Sequence, residues 1–368
     1  MTTMTTEDLH ATGAQELVDR LFGAVLGMID IHTIYVGERL GLYGALAAAG
    51  DATSAELASA TGTSERYVRE WLEQQAVSAL LAVDDPSADP DARRYALPAG
   101  HAEVLTDGDS LNYMAAFARM MAGVVRPLPA VIEAFRCGGG VPYADYDLDF
   151  CEGQADMNRV AFVNSLASEW LPAVPDVHER LSSSGKPARV VDVACGAGFS
   201  TLAIAAGYEH AIVDGIDLDE ASIVLARANL AASGLQDRVS FALRDAADPR
   251  LEGTYDLVTI FEAVHDMSQP VEVLGAARRL LAPDGCVIVA DERVAETFTA
   301  PGDEVERLMY GYSVLHCLPV GLAEAPSVGT GTAMRPDTLT EYALEAGFTD
   351  VEVLPIDNDF WRFYRLNP

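Results

Sequence analysis

From residue 188 onward, short apolar runs alternate with segments of helical period. The runs are "ARVVDVA", "AIVDGID", "RVSFAL", "YDLVTI" and "GCVIVAD"; the segments between them include "EASIVLARANLAASG" and "VEVLGAARRLLAPDG". Such alternation predicts a parallel sheet with helices on both faces, because a strand apolar on both sides must be covered on both. In an open sheet of this kind, ligands sit beyond the carboxyl ends of the strands. Chemistry is therefore expected from the residues at those ends.

The first run ends "VVDVACGAGFS". Gly196 and Gly198 allow a sharp turn and a close backbone approach to a ligand where a helix begins. A dinucleotide fingerprint needs a third glycine three positions on, and Thr201 stands there, so that reading is disfavoured. Asp192 lies inside this strand. Asp217, at the tip of the second, is placed to accept both hydroxyls of a ribose. After the third, "LRDAAD" offers Asp245 and the Ala246 backbone to an adenine edge. The fourth run leads directly into "FEAVHDM", which sets Glu262, His265 and Asp266 at a strand exit. Three readings compete there: a solvated loop, a general base with its orienting acid, or two arms of a metal site.

In this order, the glycine turn, the ribose acid, the Asp-Ala pair and "YDLVTIFEAVHDM" resemble the class I S-adenosylmethionine-dependent methyltransferases over about 186–368. The fold implied is α/β, a Rossmann-like methyltransferase domain preceded by a mostly helical, winged-helix-like domain. The resemblance implies S-adenosylmethionine held by Asp192, Ala194, Gly196, Gly198, Asp217, Leu218, Asp245, Ala246 and Phe261. One departure is Ala194, where the family usually has glycine. The winged-helix-like first part and the trailing "FWRFYRL", which suits an antiparallel edge strand, resemble the small-molecule O-methyltransferase branch, whose members dimerise through the first domain. A homodimer acting on a small molecule is the expectation.

Within that resemblance His265 and Asp266 are the expected catalytic pair. As a base, His265 removes a proton from a substrate hydroxyl, a task suited to an imidazole titrating near working pH, with Glu262 or a neighbour orienting it. A long insertion, "ERVAETFTAPGDEVERLMYGYSVLHCLPVGLAEAPSVGTGTAMR", follows the fifth run, and insertions at that edge tend to become lids. It brings His316 over the same strand ends. His265, Asp266 and His316 then resemble the transition-metal site, iron or zinc, of bacterial methyltransferases that act on carbon 3 of 2-oxo acids. There the ion acidifies the C–H by chelating the carboxylate and keto oxygens. This metal-assisted C-methylation is the leading expectation; metal-free O-methylation is the alternative. Arg119 or Arg126 is the expected partner of the substrate carboxylate, Tyr143 in "GGGVPY" an expected substrate contact, and Cys317 a less favoured ligand.

Three parts are expected: a winged-helix-like dimerisation domain over 1–105, a helical bridge lining the substrate pocket over 106–185, and the methyltransferase domain over 186–368. Residues 14–50 are nearly continuous helix-compatible sequence, apolar on several sides and so expected to be buried against a second subunit. Thr53 with Glu56 forms a capping box, Gly62 ends that helix, and Thr63 is the expected next cap. "LAVDDPSADPDARRYALP" reads as two short strands around a polar loop. A rival from another class is a winged-helix transcriptional regulator with a methyltransferase-like sensor domain. It needs a basic face on 63–75, where Arg66 and Arg69 are outnumbered by Glu65, Glu70 and Glu73.

The charge balance argues the same way. With 24 Lys and Arg against 56 Asp and Glu, the formal net charge is −32, a surface that repels phosphate backbones and anionic lipid. Neither nucleic acid nor membrane is an expected partner. No secretory signal is visible in "MTTMTTEDLHATG". The 5 cysteines, without a CxxC, read as reduced thiols in a cytoplasmic protein. Lys186 is the only lysine and lies in the loop-like "SSSGKPAR", which argues against Schiff-base chemistry.

Overall fold

The structure, a computed structural model, describes residues 6–368, with side-chain surroundings from Gly13 onward. It divides into two compact units, Met1–Ala122 and Gly123–Pro368. The bridge expected over 106–185 is thus not a third body, since its first residues belong to one unit and the remainder to the other.

The first unit opens with a 34-residue helix, Thr6–Arg39. Gly41, left-handed at φ 66°, breaks the chain before helix Leu42–Ala49. The Thr53–Glu56 capping box forms, with both reciprocal bonds present, and Gly62 at φ 66° ends helix Ser54–Thr61. The N-cap of the next helix, Glu65–Val77, is Ser64 instead of Thr63, and its side chain makes no capping bond. The short ribbon pairs β1 (Ala82–Val83) with β2 (Tyr95–Ala96) in antiparallel fashion. Leu42, Leu46, Leu57, Leu72, Trp71 and Tyr95 fill the core of this unit. Within the single chain the long helix leaves Leu17, Val18, Leu21, Phe22, Val25 and Leu26 exposed. On helix Glu65–Val77, Arg66 pairs with Glu70 and Arg69 with Asp91, so both guanidiniums are committed to carboxylates.

The second unit is built on a sheet of seven strands. They are β3 (Arg189–Val193), β4 (Ile212–Asp217), β5 (Val239–Leu243), β6 (Tyr255–Phe261), β7 (Leu281–Glu292), β8 (Asp350–Val353) and β9 (Trp361–Asn367). Their order is β5-β4-β3-β6-β7-β9-β8. The first five pair in parallel, each placed by an apolar run noted above, and the last two join antiparallel. The order reverses between β3 and β6, and a crevice opens at such a switch point. "FWRFYRL" is antiparallel as expected but lies inside the sheet, and the edge belongs to β8. That strand, "DVEV", buries little of itself and so carried no apolar run to reveal it. Helices cover both faces, one core forming around Leu166, Trp170, Ile204 and Phe363 and the other around Val258, Leu274, Leu339 and Tyr364.

The insertion after β7 folds as helix Glu304–Tyr312, a π-helical turn Ser313–Cys317 and the short helix Leu318–Gly321. It lies on the exit of β6. Val328 N–H donates to Ser268 O at 3.0 Å, and a Cβ on Gly321 would lie 3.1 Å from Asp266 O. From its other side the 140–150 segment closes on it: Val141 N–H donates to Pro319 O at 2.9 Å and Tyr146 OH to Leu315 O at 2.7 Å. Gly140 meets it so closely that a Cβ there would sit 2.1 Å from Pro319 O. Among the described residues no single helix is long and apolar enough to cross a membrane.

Candidate active site

The turn after β3 runs through left-handed backbone at Ala194 (φ 55°), Gly196 (φ 52°) and Gly198 (φ 80°). Alanine at such a position costs about 1 kcal/mol, which the surrounding contacts must offset. At Gly198 a side chain is excluded twice, by φ and because a Cβ would come 2.4 Å from Phe241 Cζ. Asp217, at the end of β4, holds the turn: its two carboxylate oxygens accept the N–H groups of Gly196 and Asp219, each at 2.8 Å. Burial raises its pKa. Leu218 beside it is exposed. Asp245 is exposed and accepts the Ala247 N–H at 2.8 Å, a local turn beyond β5, with Ala246 partly buried between.

Two residues of the expected cofactor set lie deeper. Asp192 is fully buried and accepts three hydroxyls, Ser200 and Thr201 at 2.6 Å and Thr259 of β6 at 2.7 Å. Its carboxylate props the glycine turn and leaves no oxygen for a nucleoside. Phe261 is buried against Phe162, with ring centroids 5.6 Å apart, so its side chain serves the core.

At the exit of β6 the chain turns through Glu262, left-handed at φ 52°, into a short 3-10 turn Val264–Asp266. His265 is buried, and its Nδ1 lies 2.8 Å from Asp291 Oδ1. The acid in contact with the imidazole is therefore Asp291, from the neighbouring strand, and not the expected Glu262 or the adjacent Asp266. The β6–β7 register sets Phe261 opposite Ala290, which brings Asp291 alongside the exit. Burial, the largest single influence, depresses the His265 pKa, but the charges and hydrogen bonds of Asp291 and Cys317 together outweigh it and hold the imidazole well above its ordinary value. Burial raises Asp266 to about 6 and Glu262 to about 7, and drives Glu292 well above the carboxylate range. Asn158 donates to Glu262 Oε2 from helix Leu148–Ala161.

His316 does not join His265 and Asp266 as a third metal ligand. Its ring packs instead among Phe150, Tyr146 and Tyr143, with centroids at 4.2, 4.5 and 5.7 Å, and its Nδ1 lies 3.4 Å from Cys317 Sγ. Among the described residues no group of three or more His, Cys, Asp or Glu side chains is placed to hold a metal ion. The expected iron or zinc thus finds no ligand set that fits it. The expected carboxylate partners are engaged too: Arg119, in the first unit, bridges Glu38 at 2.9 Å, and Arg126 bridges Asp147 at 2.9 Å and Asp149 at 3.4 Å. Tyr143 is partly buried against His316 and Phe150.

Asp291, Glu292, Asn158 and Thr259 were absent from the expected site. The first two were within reach of the sequence, since "GCVIVAD" ends at a strand tip like its neighbours. Asn158 had no signal, because nothing in a helical segment says which strand end it will meet.

A parallel sheet with a glycine turn at its switch point, a buried carboxylate at the tip of the next strand and a buried His–Asp pair at the following exit is the arrangement of a ligand-binding α/β domain. Comparison with known proteins agrees. Residues 184–318 match the family model described as a methyltransferase domain, and residues 29–107 one described as an Rv2258c-like winged HTH domain. The ubiquinone biosynthesis O-methyltransferase of Marinobacter nauticus is 27% identical over 229 residues, 57% of this chain and 90% of its own length. Two solved structures share the fold. An O-methyltransferase family protein from Burkholderia thailandensis has TM-score 0.64 and 17% identity, covering 100% of this chain and 98% of its own. Human N-acetylserotonin methyltransferase, in complex with S-adenosylmethionine, has TM-score 0.64 and 16% identity over 95% of this chain and 97% of its own. The chain is an S-adenosylmethionine-dependent methyltransferase in which a winged helix-turn-helix domain precedes the methyltransferase domain.

Proposed function

We propose that this protein methylates a hydroxyl group of a small molecule, with His265 as general base and Asp291 as its positioning residue. The observation that carries the reading is the buried His265–Asp291 pair at the exit of β6, one strand from the glycine turn. The relatives named O-methyltransferase support it. When bound, S-adenosylmethionine supplies an electrophilic methyl group on a sulfonium.

Asp217, Gly196 and Gly198 would hold that cofactor, with Leu218, Asp245 and Ala246 along the adenine side. Asp291 fixes the imidazole through Nδ1, so Nε2 is the nitrogen that would take a proton, with the Cys317 thiol beside the ring. His265 would take the proton of the acceptor hydroxyl, and Asp291 would stabilise the imidazolium that results; the methyl gained by the oxygen is the one lost from sulfur, with S-adenosylhomocysteine as the leaving product. The insertion over the β6 exit keeps water from the reacting oxygen. C-methylation of a metal-chelated 2-oxo acid draws no support from these side chains. The test is transfer of labelled methyl from S-adenosylmethionine to a panel of phenols and 2-oxo acids, with and without chelator. A methyl ether formed in excess chelator is the expected product; transfer solely to carbon, and solely with added metal, would sink the reading.

The exposed apolar side of helix Thr6–Arg39 is proposed to pack against a second copy. Leu17, Leu21, Phe22 and Val25 lie on it, each 46–63% exposed, and a contiguous apolar face of this kind is unfavourable in water. Light scattering should give the mass of two chains, and Leu21→Glu with Phe22→Glu should give the mass of one. A monomeric parent protein would rule the dimer out.

A further inference from the structure

We propose that His316 is a substrate-binding residue, giving a hydrogen bond through Nε2 to a second, uncharged oxygen of the methyl acceptor. The inference rests on the O-methylation reading and extends it to the class of substrate. His316 is 2% exposed, and its Nε2 has no hydrogen-bonding partner among the described residues. A buried polar atom left unpaired is costly, and cores rarely keep one without a use for it. The ring cannot swing out to solvent, because Phe150, Tyr146 and Tyr143 pack around it and the backbone is pinned where Leu315 O accepts the Tyr146 hydroxyl.

The backbone around His316 is unusual in the same place. It lies in the π-helical turn Ser313–Cys317, a geometry that accumulates at functional sites. This turn belongs to the insertion that covers the His265 turn, and the charge of His265 reaches His316, so the two imidazoles lie near each other. Asp291 Oδ2, on the strand side of that region, is a second buried oxygen with no partner among the described residues.

The chemistry of the contact follows from the surroundings. Burial, with a smaller contribution from His265, lowers the His316 pKa to about 3. The imidazole is neutral at working pH and offers no charge to an anion. Around His265 stand Glu262, Asp266, Asp291 and Glu292, all acidic, while Arg126 is held by Asp147 and Asp149. These carboxyls offer no counter-charge to a carboxylate-bearing acceptor. A neutral aromatic ring with two oxygens, one methylated and one read by His316, suits both imidazoles.

The test uses the full chain saturated with S-adenosylhomocysteine, and measures binding of catechol, phenol and phenylpyruvate by titration calorimetry. Catechol is expected to bind about tenfold more tightly than phenol, the equivalent of about 1.4 kcal/mol. His316→Ala should erase that preference and His316→Gln, whose amide nitrogen reaches a similar position, should keep part of it. Independently of any variant, the ¹⁵N signal of His316 Nε2 should move on adding catechol and stay still with phenol. Absence of catechol binding, an unchanged preference in folded His316→Ala, an unmoved Nε2 signal, or tighter binding of phenylpyruvate would each overturn the proposal. Failure of O-methylation itself shows separately, as a parent enzyme that transfers no methyl to any hydroxyl.

Discussion

His265→Ala is expected to lower kcat by about 10²–10⁴-fold while leaving S-adenosylhomocysteine affinity unchanged, the range general-base catalysis contributes. The affinity should hold because the proposed cofactor contacts come from other strands: the glycine turn follows β3 and its anchor Asp217 ends β4. Calorimetry with the cofactor product, alongside single-turnover transfer, separates the two effects. A variant that keeps kcat but loses cofactor binding would reassign His265 to the cofactor site. One that keeps both would return the histidine to a packing role.

Asp291→Asn should produce the second large effect, with a signature in pH. The carboxylate raises the His265 pKa above its ordinary value, so in the parent enzyme the neutral, proton-accepting form is populated only toward higher pH. Activity should rise with pH and fall away as pH drops through that raised pKa. Asparagine removes the charge, so the ascending limb should move to lower pH. At the plateau kcat should still drop, by about 10²-fold, because asparagine can donate to Nδ1 and favour the tautomer that carries its proton on Nε2. A pH–rate profile of kcat/KM reads both changes. An unshifted limb would mean that the profile reports another group, such as Glu262 at about 7.

How much of this was legible in the sequence depends on how far each signal travels along the chain. The parallel strands were plain because each is a dense apolar run, and the glycine turn was plain because left-handed backbone demands particular residues. The short edge strand β8 was hidden because it buries almost nothing. The His–Asp pair shows the limit most clearly. Adjacent letters, His265 and Asp266, suggested a partnership, yet a turn points neighbouring side chains apart, and the partner arrived 26 positions later through strand pairing. His316 was expected as a metal ligand, and among the described residues no set of ligating side chains gathers around it. Its surroundings, Tyr146 and Phe150, come from a segment that no local pattern connects to it.

The three hydroxyls gathered on Asp192 have a consequence for how the enzyme comes into being. They reach it from both sides of the reversal in strand order: Thr259 from β6, Ser200 and Thr201 from the helix after the turn. The glycine turn, the proposed cofactor shelf, therefore cannot assemble ahead of the two innermost strands, and a chain with those strands out of register would lack it. Affinity for the cofactor becomes a certificate of correct topology: whatever captures the ligand has already folded its centre.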